Sequence, residues 1–457
     1  MTLMNMITPL SHGPKKIFGL IFNAFLYLMP AALILGIIDF RFSNYFWESL
    51  DGWRWIESMA MFDLFSVFEM YVWVLFGLWV VMTFFYKEYR PDTRFRIVYL
   101  IMALIVAGLV VAKVAYVAGP ESVRSFWFQA LVGYVNPMLL FSVLVFSLRD
   151  KKIFRSFLMA WLWAFGIFGA VVIFQGVTGL LPGESYDYLG RLAWPYIDPF
   201  LDMKAESANW LSFLFGPTFI LGTVSLIGYR GKSERRLHVL AVIVTLISFV
   251  ILAMTKSYTG IVVSLLLFSY LLIVSVPRQY KKFLIVGLIL LIVGGVASQV
   301  ESRKFQILIG NDSQETSISR RAQIYNFSYH AFEARPLVGI GPGNYQGFFR
   351  ENVAEYLGED GGAYPQIEIP PHPHNLIINF WSDLGIFGLL AIILLYFTVG
   401  YMFFGKRDKR TNLMLFVLIY LLVHGLLDLP YGSTENSALF WIVMAMVMRH
   451  SSLSQSK

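Results

Sequence analysis

Two histidines stand two residues apart in "IPPHPHNLIINFW": His372 and His374, each behind a proline and just before a long apolar run. The chain has only seven histidines in 457 residues, so two at the mouth of an apolar helix ask for a reason. An imidazole, with an unperturbed pKa of about 6.5, can accept a proton near neutral pH. Arginine offers a planar fork of donors matched to phosphate oxygens, and Arg320 and Arg321 open a helical pattern upstream. Lys256 in "TKSYTG", Arg191, Glu206, Asn209, Asn375 and Asp428 in "LLDLPYG" are further polar residues beside apolar runs. One base with several cations fits transfer of a group from a phosphate leaving group to a hydroxyl nucleophile. The carboxylates do not gather as a divalent-ion site requires, so neither a metal nor another cofactor is expected. Taken singly, each residue has a plainer use. A histidine can be an interfacial polar group, the two arginines can solvate their helix, and Lys256 and Lys113 can snorkel. Only convergence on one side of a membrane makes a site of them.

That convergence depends on the elements that carry the residues. The chain is 57% hydrophobic and 14% charged, whereas soluble domains carry roughly a quarter charged residues. Its apolar runs reach the roughly 20 residues that a bilayer core of about 30 Å demands. They are continuous rather than alternating, which selects helices over a barrel. The expected fold is therefore all-α and polytopic. About 12 transmembrane helices are expected, near 17–38, 67–86, 97–118, 127–147, 157–175, 209–228, 237–254, 259–276, 283–300, 377–404, 412–427 and 437–448. The first run follows Lys15 and Lys16 and is too long for a signal-peptide core, so it reads as a retained span. Cysteine is absent, which excludes disulfides and thiolate metal sites.

Charge orients the spans. "KEYRPDTRFR", "RDKKIFR", "YRGKSERR", "PRQYKK" and "GKRDKR" fall in alternate connections and, with the two termini, hold most of the 36 Lys and Arg residues. Cytoplasmic loops carry this excess, so both termini are expected inside. The net charge of +7 then reflects topology rather than nucleic-acid binding. The same alternation puts two segments outside: residues 176–208 and the large loop 301–373. The organisation reads as spans one to nine over 1–300, the loop over 301–373, and spans ten to twelve over 374–457. Ile318, Ala322, Tyr325, Tyr329 and Phe332 follow helical spacing and predict one apolar helix face in the loop. Pro336 limits that helix, and "GIGPGN" supplies a loop corner rather than a phosphate loop. Asp383, just inside a span, either caps the following segment or faces a wet cavity, since a carboxylate there is costly.

"RRAQIYNFSYHAFEARPLVGIGPGNY" followed by "PHPHNLIINFWSDLGIFGLL" resembles the signature region of the O-antigen ligase and polymerase superfamily, and "ESANWLSFL" resembles its earlier asparagine motif. The resemblance covers residues 317–400, and the twelve-span layout agrees elsewhere. It implies a metal-independent glycosyltransferase of the bacterial inner membrane, acting on its periplasmic face. The implied donor is a glycan on undecaprenyl diphosphate, and the implied acceptor is lipid A-core or another lipid-linked glycan. His374 matches the essential histidine, Arg321 the arginine that engages diphosphate, and Asp428 an acidic residue after the last outer turn. Where the family often has Ser-Arg, this chain reads Ser257-Tyr258, and Lys256 or Arg191 is left to replace that arginine. His372, Asn375 and Asn209 stand as supporting residues. The acceptor separates a ligase from a polymerase of lipid-linked repeats, and no pattern here encodes it. A secondary transporter or glycolipid flippase ranks second, because such proteins place ionisable groups near the midplane, where this chain has almost none. A scaffold role ranks third.

Overall fold

The computed structural model describes residues 14–37, 67–91, 95–115, 126–178, 192, 208–229, 234–289, 317–352, 372–405, 409–427 and 434–455, apart from 128, 284, 288, 346 and 350. Among these residues the fold is all-α, with no β-strand. In chain order the helices are α1 Pro14–Ile37, α2 Val67–Phe85, α3 Arg96–Ala115, α4 Ala130–Ser147, α5 Lys151–Thr178 and α6 Ala208–Gly228. They continue with α7 Arg235–Thr255, α8 Tyr258–Ser275, α9 Ser317–Ala334, α10 Leu376–Phe404, α11 Lys409–Leu427 and α12 Thr434–Gln455. Nine of them, α1 to α8 and α10, are long and apolar enough to cross a bilayer, and α11 contains the shorter apolar stretch Leu413–Leu427. The chain is a polytopic membrane protein. The span expected at 283–300 lies mostly outside the described residues.

Helices α1 to α8 and α10 are apolar nearly all round, as membrane spans require. Side chains such as Val114, Phe397 and Phe404 point outward. The centre belongs to α6, whose residues Leu211 to Ser225 are all buried, and which packs against α7, α8 and α11. A second group joins α10 to α3 and α11, and a third joins α4 to α12 and α2. With no hydrophobic drive between helices in lipid, close approach through small residues and interhelical hydrogen bonds holds such contacts. Tyr420 of α11 donates to the Ser212 carbonyl of α6 at 3.0 Å, and Tyr396 of α10 donates to the Leu422 carbonyl at 3.0 Å.

The two ends of the bundle differ. At one end Arg149 pairs with Glu88 at 2.9 Å, Arg155 with Glu234 at 2.8 Å, and Arg449 caps the carbonyls of Leu148 and Arg149. Phe22 packs edge-on against Tyr89 there, so the beginning of α1 and the end of α12 share this basic end. The opposite end carries the starts of α6, α8 and α10 together with α9.

Helix α9 forms as the loop spacing predicts, but its burial differs. Phe327 and Ala331, not Tyr329, lie in a small separate core with Ile340, Tyr345, Phe348 and Phe349. Ser328 gives its proton to the Ile324 carbonyl at 2.7 Å, so the Tyr345 hydroxyl donates to Ser328, also at 2.7 Å. The expected face is used as well, though by α10: Phe332 meets Trp381, and Tyr325 reaches the segment before α10. Tyr329 is exposed. A helix lying between its own core and a neighbour buries two stripes, and one spacing pattern cannot report both.

Candidate functional site

The approach to α10 is set by three residues in sequence. Pro373 biases the residue before it away from helical backbone, and His374 then turns through the left-handed region at φ 51°. Asn375 returns to extended backbone and caps the helix, its Oδ1 accepting from the amides of Ile377 at 2.9 Å and Ile378 at 3.1 Å. Such caps satisfy amides that the first turn leaves without partners. The Asn375 amide group donates to the Leu426 carbonyl at 2.8 Å, which ties the end of α11 to the start of α10. The half-buried rings of His372 and His374 meet edge to face with centroids 4.5 Å apart. Tyr325 of α9 donates to the His374 carbonyl at 3.4 Å. Arg321 is half-buried one helical turn before Tyr325, so the same helix brings both toward His374.

The α7–α8 corner lies at the same end. Lys256 closes α7 in the left-handed conformation at φ 47°, its amide bonded to the Ala253 carbonyl at 3.3 Å, and is exposed. Ser257 caps α8 by accepting from the Gly260 amide at 3.4 Å. Just before the corner, the Met254 carbonyl accepts from the Leu192 amide at 3.0 Å, which joins Leu192 to it. The Ser257 hydroxyl donates to Asn209 Oδ1 at 2.8 Å, and Ser212 donates to the Asn209 carbonyl at 2.7 Å with its Oγ 3.2 Å from Ser257 Oγ. Ser212 Oγ also lies 3.3 Å from Nε2 of His424, a buried imidazole on α11. Ser212 has one proton and its shortest bond is to the Asn209 carbonyl, which leaves His424 Nε2–H as the donor in that contact. The resulting chain of polar groups runs from α6 through the α7–α8 corner to α11, and Asn375 continues it to α10.

The structure thus brings Asn209, Lys256, His372, His374 and Asn375 to one end of the bundle, with Arg321 on the helix beside them. The side chain of Arg320 is not described, and Arg191, Glu206 and Asp428 lie outside the described residues. Lys113 sits over the rings of Phe126 at 5.5 Å and Trp127 at 6.0 Å, a cation–π contact at the end of α3. Asp383 bonds none of the amides that follow it among the described residues. It is buried, and its carboxylate accepts from Tyr134 at 2.7 Å and Asn379 at 3.2 Å. Among the described residues, no three His, Asp or Glu side chains are grouped to hold a metal ion.

Sequence reasoning missed Ser212, His424 and Tyr134. A polar residue inside an apolar helix was the available signal: Asn209 and Ser212 share a face at i, i+3, as do Tyr420 and His424 at i, i+4.

No curated protein matches the chain. Residues 241–393, however, match the family model Wzy_C, described as O-antigen ligase. The matched stretch runs from α7 into α10 and contains Lys256, Arg321, His372, His374, Asn375 and Asp383. It leaves out Arg191, Asn209 and Asp428. The family's activity is glycosyl transfer of the O-antigen ligase or polymerase type, with lipid-linked glycans as its substrate class. The segment that builds the corner, the loop helix and the histidine turn is thus the part of this multi-pass membrane protein that is similar to the O-antigen ligase family model.

Proposed function

We propose that the protein is an inverting glycan transferase working on the periplasmic face of the inner membrane. It moves a glycan from undecaprenyl diphosphate to a sugar hydroxyl of an acceptor such as lipid A-core. His374 takes the proton of the acceptor hydroxyl as its oxygen bonds to the anomeric carbon. The bond from that carbon to the donor's diphosphate breaks, and the diphosphate leaves with the electron pair. Arg321 holds the diphosphate with its paired donors, and Lys256 supplies the second cation where negative charge grows. Arg191 precedes Leu192, which is bonded beside that corner, and is the other candidate for this role. No metal has a part in these steps. His372 and Asn209 support the arrangement, Asn375 fixes the start of α10, and Asp428 is assigned a supporting part from its match in sequence alone.

One observation carries the reading. Among the described residues only two non-glycine residues have positive φ, and they are Lys256 and His374. Left-handed backbone at such residues costs about 1–3 kcal/mol each and collects at functional sites. Both fall at one end of the bundle, at residues whose chemistry suits the reaction.

The test compares the two imidazoles in membranes supplied with lipid-linked donor and acceptor. General-base catalysis is worth about 10²–10⁴-fold, so His374→Ala should reduce transfer by at least about 10²-fold with donor binding retained. His372→Ala should keep most activity, and Arg321→Ala should weaken donor binding. Near-full activity in His374→Ala, with loss in His372→Ala, would show that the other imidazole is the base. Chelators should leave the wild-type rate unchanged. A lipopolysaccharide gel from a deletion strain separates the acceptors. Missing capped bands with accumulating lipid-linked polymer mark a ligase, and a single-repeat band marks a polymerase.

A further inference from the structure

Helix α10 is two helices in one run. At Gly385 the backbone turns to φ 59°, ψ −141°, which leaves a first half of nine residues, 376–384, and a second half long enough to cross a bilayer alone. Such a break frees backbone groups that lipid cannot satisfy. Here the turn after α9 takes them. The Ile386 amide donates to the Leu337 carbonyl at 3.3 Å, while the carbonyls of Ser382 and Asp383 accept from the amides of Ile340 at 2.7 Å and Gly341 at 3.1 Å. Beside the break, Tyr134 in the π-helical opening of α4 donates to Asp383 Oδ2 at 2.7 Å. The Asn379 amide group donates to the same oxygen at 3.2 Å and lies 3.3 Å from the Tyr134 hydroxyl, which closes a triangle. Asp383 is therefore fixed to α4, and its own carbonyl holds the turn.

Resting on the functional reading above, we propose that Asp383 is a positioning residue for transfer. Its carboxylate clamps the first half of α10 against α4. Its backbone ties the Arg321-bearing helix to the half-helix that begins beside His374. The two elements are joined at both ends, at Tyr325 with the His374 carbonyl and at Ile340 with the Ser382 carbonyl. With both ends fixed, the cation and the base keep one spacing. An ionisable residue inside a span is costly and is kept for a function. An apolar residue would fill the same volume without holding Tyr134.

The test uses the full-length protein in nanodiscs, with Tyr134→Phe, Asp383→Leu and Asp383→Asn. It reads both transfer kinetics and hydrogen exchange of the Ile340 and Gly341 amides. Misplacement by about 1 Å costs on the order of 10²-fold. Asp383→Leu and Tyr134→Phe should therefore lower kcat about ten- to a hundredfold, with a smaller change in donor KM and faster exchange of both amides. Asp383→Asn keeps an oxygen for Tyr134 and should restore exchange protection and most of kcat. A carboxylate acting in proton transfer would not be rescued in this way, so an inactive Asp383→Asn with full amide protection overturns the proposal. Unchanged exchange in Tyr134→Phe, which removes a single hydroxyl and spares the fold, overturns it too. Amide exchange reads the clamp whether or not the wild type transfers glycan, so a wild type inactive toward every lipid-linked acceptor would sink the functional reading alone.

Discussion

A lysine that ends a helix in the left-handed region occupies a place where glycine is the usual residue. Lys256 does so at φ 47° and remains exposed, so its conformation and its charge can be tested separately. Lys256→Gly removes the charge and the strain together, whereas Lys256→Ala removes the charge alone. Thermal unfolding in detergent should find the glycine variant about 1 kcal/mol more stable than the alanine variant. Donor affinity should fall equally in both. Equal stability would mean that the corner is not left-handed in the protein. Residue types were readable in the sequence at this scale: His374, Lys256, Arg321 and Asn375 were picked out by chemistry and position. Their backbone conformations were not, because left-handed lysine and histidine follow from contacts with Ala253, Tyr325 and the Asn375 cap. His424 was illegible for a related reason. A single imidazole in "LIYLLVHGLL" gains meaning only when Ser212, more than two hundred residues earlier in the chain, is placed beside it.

At the scale of elements, the position of each apolar run within the described residues is legible, because a bilayer imposes length and composition on each run separately. Ends such as those of Lys151–Thr178 and Thr434–Gln455, however, lie up to six or seven residues beyond the apolar run. The sequence pattern predicts one helix over 377–404, and the structure divides it at Gly385. "GIGPGN" predicts a loop corner and forms one, but its amides also complete the divided helix. That pairing joins segments some forty residues apart, so no local pattern announces it. The glycine at the break can carry a test. Gly385 has φ 59°, ψ −141°, backbone essentially reserved for glycine, and a Cβ there would lie 2.5 Å from the Leu337 carbonyl carbon. Strain of about 1–3 kcal/mol adds to that clash. Gly385→Ala should therefore lower the unfolding temperature by several degrees and expose the turn after α9 to protease. Gly400 supplies the control, since it lies in the same helix with open space where a Cβ would go. Gly400→Ala should be neutral or stabilise by up to about 1 kcal/mol through helix propensity. Equal effects at the two positions would remove the argument that Gly385 is a junction.

For the whole molecule, the sequence divides the connections by charge and the structure divides the bundle by end, and the two divisions coincide among the described residues. Arg149, Arg155 and Arg449 gather at one end with the start of α1, while Lys256, His374 and α9 lie at the other. Lys and Arg held on the cytoplasmic side would then put the site outside, where an acceptor on the outer leaflet could reach it. The absence of cysteine from the chain makes this directly measurable. Glu351, exposed in the segment beyond the loop turn, and Lys282, exposed in the basic stretch after α8, mark the two sides. In intact cells a membrane-impermeant maleimide that passes the outer membrane should label Glu351→Cys and leave Lys282→Cys unmodified. Opening the inner membrane should then allow labelling of Lys282→Cys without changing Glu351→Cys. Each substitution exchanges one exposed polar side chain for a small one, so the fold and the charge pattern of the other connections are kept. The reverse labelling pattern would place His374 and Arg321 in the cytoplasm. An acceptor assembled on the outer leaflet could then never meet them, and the proposed reaction would fail however well the site's geometry suited it.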